Sequence, residues 1–175
     1  RGFEGSQDLG LDGSAIHWEG LRIRFPLFGQ HNLNNALAAI SVSAELGISK
    51  EKIARGLEAV RPLFGRSQVR RGEVTVLEDY YNANPDSLRQ LLEFVGELSW
   101  PGRKVAILGS MKELGPQSDE AHRLIGALAG RVILQGLCLF GEEMQAAFAA
   151  AREAGFAGLL RWTAEFGDLC GAVKA

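Results

Sequence analysis

Two hydrophobic rhythms run along this chain. Between Ala15 and Leu27 apolar and polar positions alternate loosely. Ile16-His17-Trp18 and Leu21-Arg22-Ile23-Arg24-Phe25, with Gly20 between them, predict a small antiparallel pair of strands. The spacing then changes. Gly29 and the polar stretch Gln30–Asn35 open a strongly helical segment. Its apolar residues are Ala36, Leu37, Ala39, Ile40, Val42 and Ala44, and Gly47 is its C-terminal stop. A second helix starts at Ser49, carries Ile53, Leu57 and Val60 at i, i+4 and i+7, and ends at Pro62 and Gly65.

The β-branched run Glu73–Asp79 predicts a strand. It leads into a polar elbow, Tyr80-Tyr81-Asn82-Ala83-Asn84-Pro85, and then a helix capped by Asn84 or Asp86, with Leu88, Leu91, Leu92 and Val95 on its inner face. From there strands and helices alternate. Strands are expected at Lys104–Leu108, Leu137–Phe140 and Leu159–Trp162, with helices at Ser118–Val132, Glu142–Ala154 and Ala164–Val173. Apolar strands alternating with helices predict a parallel sheet covered on both faces. The expected class is α/β: a Rossmann-like, mostly parallel sheet preceded by the tail of another α/β domain. The composition shifts over Arg70–Pro85, which places the domains at 1–72 and 73–175.

Composition narrows the function. With 46% apolar and 23% charged residues among 175, the chain has an ordinary globular mix. A net charge of −2 offers no basic face for nucleic acid. No apolar run approaches the roughly 20 residues of a membrane helix, and Arg1–Gly5 lacks the layout of a signal peptide. A cytoplasmic protein is expected. Cys138 and Cys170, far apart among apolar neighbours, read as buried free thiols. His17, His31 and His122 are too dispersed to suggest a metal site. There is no GxxxxGK[ST] or GxGxxG loop, so nothing here cradles a triphosphate.

Three clusters carry candidate chemistry. In Gly29-Gln30-His31-Asn32-Leu33-Asn34-Asn35, one Asn could cap the helix, but that explains one amide of three. A carboxamide, with one acceptor and two donors, suits the edge of a purine. In Gly65-Arg66-Ser67-Gln68 the arginine is either a solvated charge or a planar fork for phosphate. In Glu78-Asp79-Tyr80-Tyr81-Asn82-Ala83-Asn84-Pro85, a strand delivers a carboxylate into a dense polar elbow at a helix start. Ligands of open α/β folds bind at such strand ends, although a tight turn is also rich in Asn and Pro.

Together, Gly29-Gln30-His31-Asn32 with Asn35-Ala36-Leu37-Ala38-Ala39, Gly65-Arg66, Asp79 with Tyr81-Asn82-Ala83-Asn84-Pro85-Asp86-Ser87, and Gly109-Ser110-Met111-Lys112-Glu113-Leu114-Gly115 with a later His resemble the Mur ligases, closest to the MurF branch. The match runs from about Gly29 to Gly126. The resemblance implies a cytoplasmic, ATP-dependent ligase that adds D-alanyl-D-alanine to the UDP-N-acetylmuramoyl-tripeptide of peptidoglycan synthesis. It implies that Asn35 contacts adenine, Arg66 the phosphates and Asp79 the ribose, while Tyr81, Asn82 and Asn84 line the acceptor cleft. His31 and Asn32 would support the motif.

The same resemblance implies that the P-loop lysine and the Mg²⁺ ligands lie upstream of Arg1. The chain would then be cut at both ends, hold no catalytic residue or metal ligand of its own, and be inactive alone. A monomer is expected, without nucleic-acid or membrane partners. The family usually has Asp where this chain has Ser110, so an acidic role there passes in part to Glu113 or is structural. Two alternatives remain open: a sister Mur ligase or folylpolyglutamate synthase, and a non-catalytic α/β binding domain.

Overall fold

The computed structural model describes residues 2–174, with side chains described through Gly171. The chain divides into two compact units, 1–81 and 82–175.

The first unit opens with a three-stranded antiparallel sheet, β1 (Phe3–Asp8), β2 (Ser14–Trp18) and β3 (Leu21–Phe25), in that order. The expected pair is β2 and β3, with Ile16 opposite Ile23. β1 was not legible, because Phe3-Glu4-Gly5-Ser6-Gln7-Asp8 has no apolar alternation and is almost entirely exposed. Helices α1 (Gln30–Glu45) and α2 (Lys50–Glu58) cover the sheet. Ile16, Trp18, Ile23 and Phe25 pack against Leu33, Ala36, Ile40, Ile53 and Leu57. Of the apolar residues expected in α1, Ala39, Val42 and Ala44 are exposed, Val42 to 61%. Gly47, at φ +74°, lets the N–H groups of Gly47 and Ile48 turn back onto Ala44 O and Ser43 O.

The predicted strand Glu73–Asp79 is shorter than expected. Only Val76–Glu78 (β5) is extended, paired antiparallel with β4 (Gln68–Arg70). Three residue pairs close this ladder before the Gly72 bend interrupts it.

The second unit begins with α3 (Pro85–Glu97). Asn84 caps it: its side chain accepts from Ser87 N–H while the Ser87 hydroxyl accepts from Asn84 N–H. Then follow β6 (Val105–Gly109), α4 (Ser118–Ala129), β7 (Gly136–Phe140), α5 (Met144–Glu153), β8 (Leu159–Thr163) and α6 (Phe166–Lys174). β6, β7 and β8 form a parallel sheet in that order, as the alternation of strands and helices predicts. One face carries Leu108, Leu137 and Leu139 into a core with Leu88, Leu92, Ile125, Met144 and Ala147. The opposite face departs from the expected double cover. α6 packs on β7 and β8, but Val105 and Ile107 of β6 remain 58% and 50% exposed, because one helix does not reach the third strand. Cys138 is buried as expected, whereas Cys170 is exposed on α6.

Candidate functional site

In the first unit several of the polar residues singled out in the sequence lie where α1 begins. Gly29, at φ +88°, is the residue before the first turn, and no side chain caps the helix. The amides therefore do other things. Asn32 is buried, and its Nδ2 donates to Phe28 O at 2.8 Å and to Ser67 Oγ at 3.2 Å. Gln30 Nε2 donates to Asn34 Oδ1 across one turn. Asn35 lies one turn beyond Asn32, exposed, with its carboxamide making no hydrogen bond among the described residues.

The segment after α2 meets this helix start. Ser67 adopts φ +48° and its N–H donates to Asp79 Oδ1 at 3.1 Å. Gly65, at φ +64°, donates to Gln68 Oε1 and accepts from Tyr81 N–H, and a Cβ there would press on the Tyr80 ring at 3.0 Å. These contacts bring Arg66 beside the elbow: its guanidinium lies 4.5 Å from the centroid of the Tyr81 ring. His31 is held below its ordinary pKa by burial, an effect that the negative charge of Asp79 opposes. Asn35, Arg66, Asp79 and Tyr81 thus all belong to the first unit, near one helix start and one hairpin, while Asn82 and Asn84 belong to the second. Asn82 is exposed, and Asn84 uses its side chain to cap α3.

At the carboxyl ends of β6 and β7 a second set of polar groups gathers, this time wholly within the second unit. Ser110 follows β6, and its N–H donates to Phe140 O. Lys112 Nζ donates to Glu143 Oε1 at 2.5 Å. That bond and one from the Ser110 hydroxyl pull the Glu143 carboxyl down to about 2. His122 lies beneath the loop with no exposure, accepting Met111 N–H at Nε2 and placing Nδ1 2.6 Å from Ser118 O. Among the described residues no three His, Cys, Asp or Glu side chains come together as a metal site. No described helix is long and apolar enough to cross a membrane.

The sequence profile of the Mur ligase, glutamate ligase domain matches residues 65–174, well over half of the chain. The chain belongs to the Mur ligase family. Over 136 residues it is 44% identical to the UDP-N-acetylmuramoyl-tripeptide–D-alanyl-D-alanine ligase of Treponema pallidum, covering 78% of this chain and 29% of that protein. The corresponding ligase of Escherichia coli is 32% identical over 71% of this chain and 27% of its own length. Among solved structures, MurF from Acinetobacter baumannii superposes at TM-score 0.82 and 26% identity, covering 98% of this chain and 37% of that one. MurF from Thermotoga maritima, solved with ADP, shares the fold at TM-score 0.67 and 20% identity over 98% of this chain. The chain therefore spans less than a third of the curated relatives' length.

Within this Mur ligase chain, sequence reasoning missed Glu143. Glu113, expected to stand in for part of an acidic role at Ser110 unless that role is structural, is exposed at φ +64°, while the carboxylate paired with Lys112 of the same loop is Glu143. The signal was there in Gly141-Glu142-Glu143, an acidic pair directly after a strand-ending glycine of a parallel sheet.

Proposed function

We propose that this chain forms the adenosine-side and acceptor-side portion of an ATP-dependent ligase that joins D-alanyl-D-alanine to a UDP-N-acetylmuramoyl-tripeptide in the cytoplasm. The supporting observation is the 44% identity to a ligase of that name, together with the presence of Asn35, Arg66 and Asp79 in one unit, where Ser67 links Asp79 to Asn32 of α1. In this reading the central ATP-binding domain ends at residue 72 and the acceptor domain begins at 73. The compact units divide nine residues later, at 81, because the β4–β5 hairpin stays with the first.

The side chains suit a nucleotide in kind. Asn35 presents a donor and an acceptor to a base edge. Asp79 has one oxygen engaged by Ser67 N–H, and its other oxygen can accept from ribose hydroxyls. Arg66, exposed and stacked on Tyr81, offers its fork to a phosphate. When bound, ATP would activate the precursor's carboxylate so that the acceptor's amine can form the amide. This chain's part is to bind and orient, which is where positioning contributes most to such transfers. Tyr81, Asn82 and Asn84 are the proposed acceptor-side residues. With Asn84 committed to the cap, its contribution runs through fixing the elbow. No cluster among the described residues fits Mg²⁺, so no step is assigned to metal on this chain. The protein is expected to act as a monomer.

The test is a ligation assay of a protein that joins this chain to a P-loop ATPase domain, run against a panel of amino acids and dipeptides. Amide formation with D-alanyl-D-alanine and the UDP-tripeptide supports the reading. Preference for a single amino acid would point to a sister ligase, and preference for glutamate on a folate to a folylpolyglutamate synthase.

A further inference from the structure

Arg66 is held differently from the arginines beside it. Arg70 and Arg71 are paired with carboxylates, Glu78 at 3.0 Å and Asp12 at 2.9 Å. Arg66 instead lies over the ring of Tyr81, 4.5 Å from its centroid. Among the described residues no carboxylate or carbonyl accepts from its guanidinium. The group is exposed, charged and without an anionic partner, yet it has a fixed neighbour.

The backbone sets this pairing. The β4–β5 ladder matches Gln68 with Glu78. Carried back in the same register, Ser67 faces Asp79 and Gly65 faces Tyr81. Both pairs are bonded, Ser67 N–H to Asp79 Oδ1 at 3.1 Å and Tyr81 N–H to Gly65 O at 3.0 Å. Arg66 is therefore tied down on either side. Its own N–H donates to Leu63 O, and the Phe64 ring meets the Tyr80 ring edge-on with centroids 5.6 Å apart. A Cβ at Gly65 would come within 3.0 Å of the Tyr80 ring and 3.2 Å of Tyr81 N. The strands approach too closely here for Arg66 and Tyr81 to drift apart.

A guanidinium can use its face and its edge at once. Its face lies on aromatic rings, and its edge carries the N–H donors that fork onto a phosphate. A carboxylate partner would occupy that edge and cancel the charge. A ring takes the face alone. It also restricts a long side chain whose ordering otherwise opposes binding. We propose that Tyr81 is a positioning residue for Arg66: its ring holds the guanidinium by the face, so that the edge stays open and charged for a nucleotide phosphate. This role rests on the ligase reading above and extends it. It gives Tyr81 a task on the nucleotide side, separate from its proposed place on the acceptor side.

The experiment uses the 175-residue chain itself, labelled for NMR of backbone amides and arginine side chains, and titrated separately with adenosine and ATP. ATP is expected to shift the amides of Asn35, Ser67 and Asp79 saturably. Tyr81→Leu should weaken ATP by about two- to fivefold, the factor that matches an exposed cation–π contact, and leave adenosine, which has no phosphate, unaffected. Tyr81→Phe keeps the ring face and should keep most of the ATP affinity. In an Arg66→Met background, Tyr81→Leu should cause no further loss, because the two side chains act as one unit. The Cδ protons of Arg66, displaced by the ring current of Tyr81 in the native chain, should return to ordinary positions in Tyr81→Leu. The ring is 65% exposed and the bond to Gly65 comes from the backbone, so the rest of the variant's spectrum should stay unchanged and report an intact fold.

Equal losses of ATP and adenosine in Tyr81→Leu would overturn the proposal, since the ring would then shape the site instead of placing Arg66. So would a loss in Tyr81→Phe as large as in Tyr81→Leu, which would assign the effect to the hydroxyl, or additive losses from Arg66→Met and Tyr81→Leu. The native chain separates the two levels. Shifts at Asn35 and Asp79 with ATP, but an ATP affinity unchanged in Tyr81→Leu, defeat the positioning role while leaving the ligase reading intact. Failure of ATP to shift Asn35 and Asp79 would count against the ligase reading itself, and the positioning role would fall with it.

Discussion

Ser67 N–H donates to Asp79 Oδ1 at 3.1 Å, and the same Ser67 accepts from buried Asn32 through its hydroxyl. One residue at φ +48° thereby ties the start of α1 to the end of β5. Asp79→Asn keeps an oxygen for Ser67 but loses the charge that strengthens a bond to ribose. Nucleotide affinity is expected to fall by about one to two orders of magnitude, in line with roughly 1.5–3 kcal/mol for hydrogen bonds to charged groups. Asp79→Ala should add a loss of melting temperature because Ser67 N–H loses its acceptor. Calorimetric titration and thermal melts of both variants check this. A fall in stability without a change in nucleotide affinity for Asp79→Asn would make the carboxylate purely structural.

Asn32 tests the other arm of the same tie. Its Nδ2 serves Phe28 O and Ser67 Oγ from a buried position. Asn32→Leu removes the two buried hydrogen bonds to Phe28 O and Ser67 Oγ, at an expected cost of about 1–3 kcal/mol. For a chain of this size, that is a fall in Tm of roughly 2–12 °C. Urea denaturation at constant pH gives the number. Asn34→Ala, which loses only the exposed bond to Gln30, should change stability by less than about 0.5 kcal/mol.

A pH dependence follows from His31. Burial lowers its pKa below the ordinary 6.5, so the folded state favours the neutral ring more than the unfolded chain does. Below 6.5 the unfolded chain takes up protons first, and stability falls as the pH drops through that value toward the lowered one. Above 6.5 neither state binds the proton and this contribution is constant. His31→Gln should flatten the slope of stability between about pH 7 and 5. Asp79→Asn removes the negative charge that raises the His31 pKa, so the His31 ring should titrate lower still in that variant. NMR titration of the imidazole reads both effects, and an unchanged His31 titration in Asp79→Asn would show that the two groups are not coupled.

The order of strands and helices was legible because β6 and β7 are short apolar runs next to glycine, Val105–Leu108 and Leu137–Phe140, separated by stretches with helical spacing, while β8 mixes Leu159, Leu160 and Trp162 with Arg161. β1 was not legible, since its side chains stay in water and its pairing comes from backbone bonds to β2. β4 escaped for a related reason: Gln68-Val69-Arg70 has one apolar residue, and its partner β5 decides its state. The exposure of Ile107 could not be read from a continuous apolar run, because such a run does not say how far the next helix reaches. Asn35, Arg66 and Asp79 stood out in the sequence as residue types that suit a nucleotide, although Asp79 also serves the fold by accepting Ser67 N–H. Asn32, expected from the resemblance to support the motif, is buried and bonded to Phe28 O and Ser67 Oγ. Glu143 was hidden because it meets Lys112 across the gap between β6 and β7, a distance in sequence that no spacing rule bridges.

Gly126 shows how closely the helices that carry the β6 and β7 loops must approach. It is buried on α4, and a Cβ there would collide with the backbone carbonyl of Ala147 on α5. A backbone atom cannot swing aside as a side chain does, so Gly126→Ala must push the helices apart. The helix propensity gained, about 1 kcal/mol for alanine over glycine, is opposed by overpacking of about 1–3 kcal/mol or more in a dense core. Net destabilisation is expected, with Tm lowered by several degrees.

The strongest structural test of the β6 loop is His122. It is fully buried, and both ring nitrogens are engaged: Nε2 accepts Met111 N–H at 3.0 Å, and Nδ1 carries the proton toward Ser118 O at 2.6 Å. His122→Phe keeps an aromatic ring, slightly larger, and deletes both polar contacts. Met111 N–H would then be buried without an acceptor, at a cost of about 1–3 kcal/mol, and the loop from Ser110 to Gly115 would lose its anchor. The expected result is a lowered Tm together with faster hydrogen exchange at Met111 and Lys112. Exchange at Leu137–Leu139 in the sheet core, whose bonds run between β6, β7 and β8, should rise only as far as global stability falls. His122→Gln, which retains an acceptor on a flexible side chain, should recover part of the protection. Loss of protection spread evenly over the loop and the sheet in His122→Phe would show that the ring holds the whole unit together instead of fixing the loop that presents Lys112.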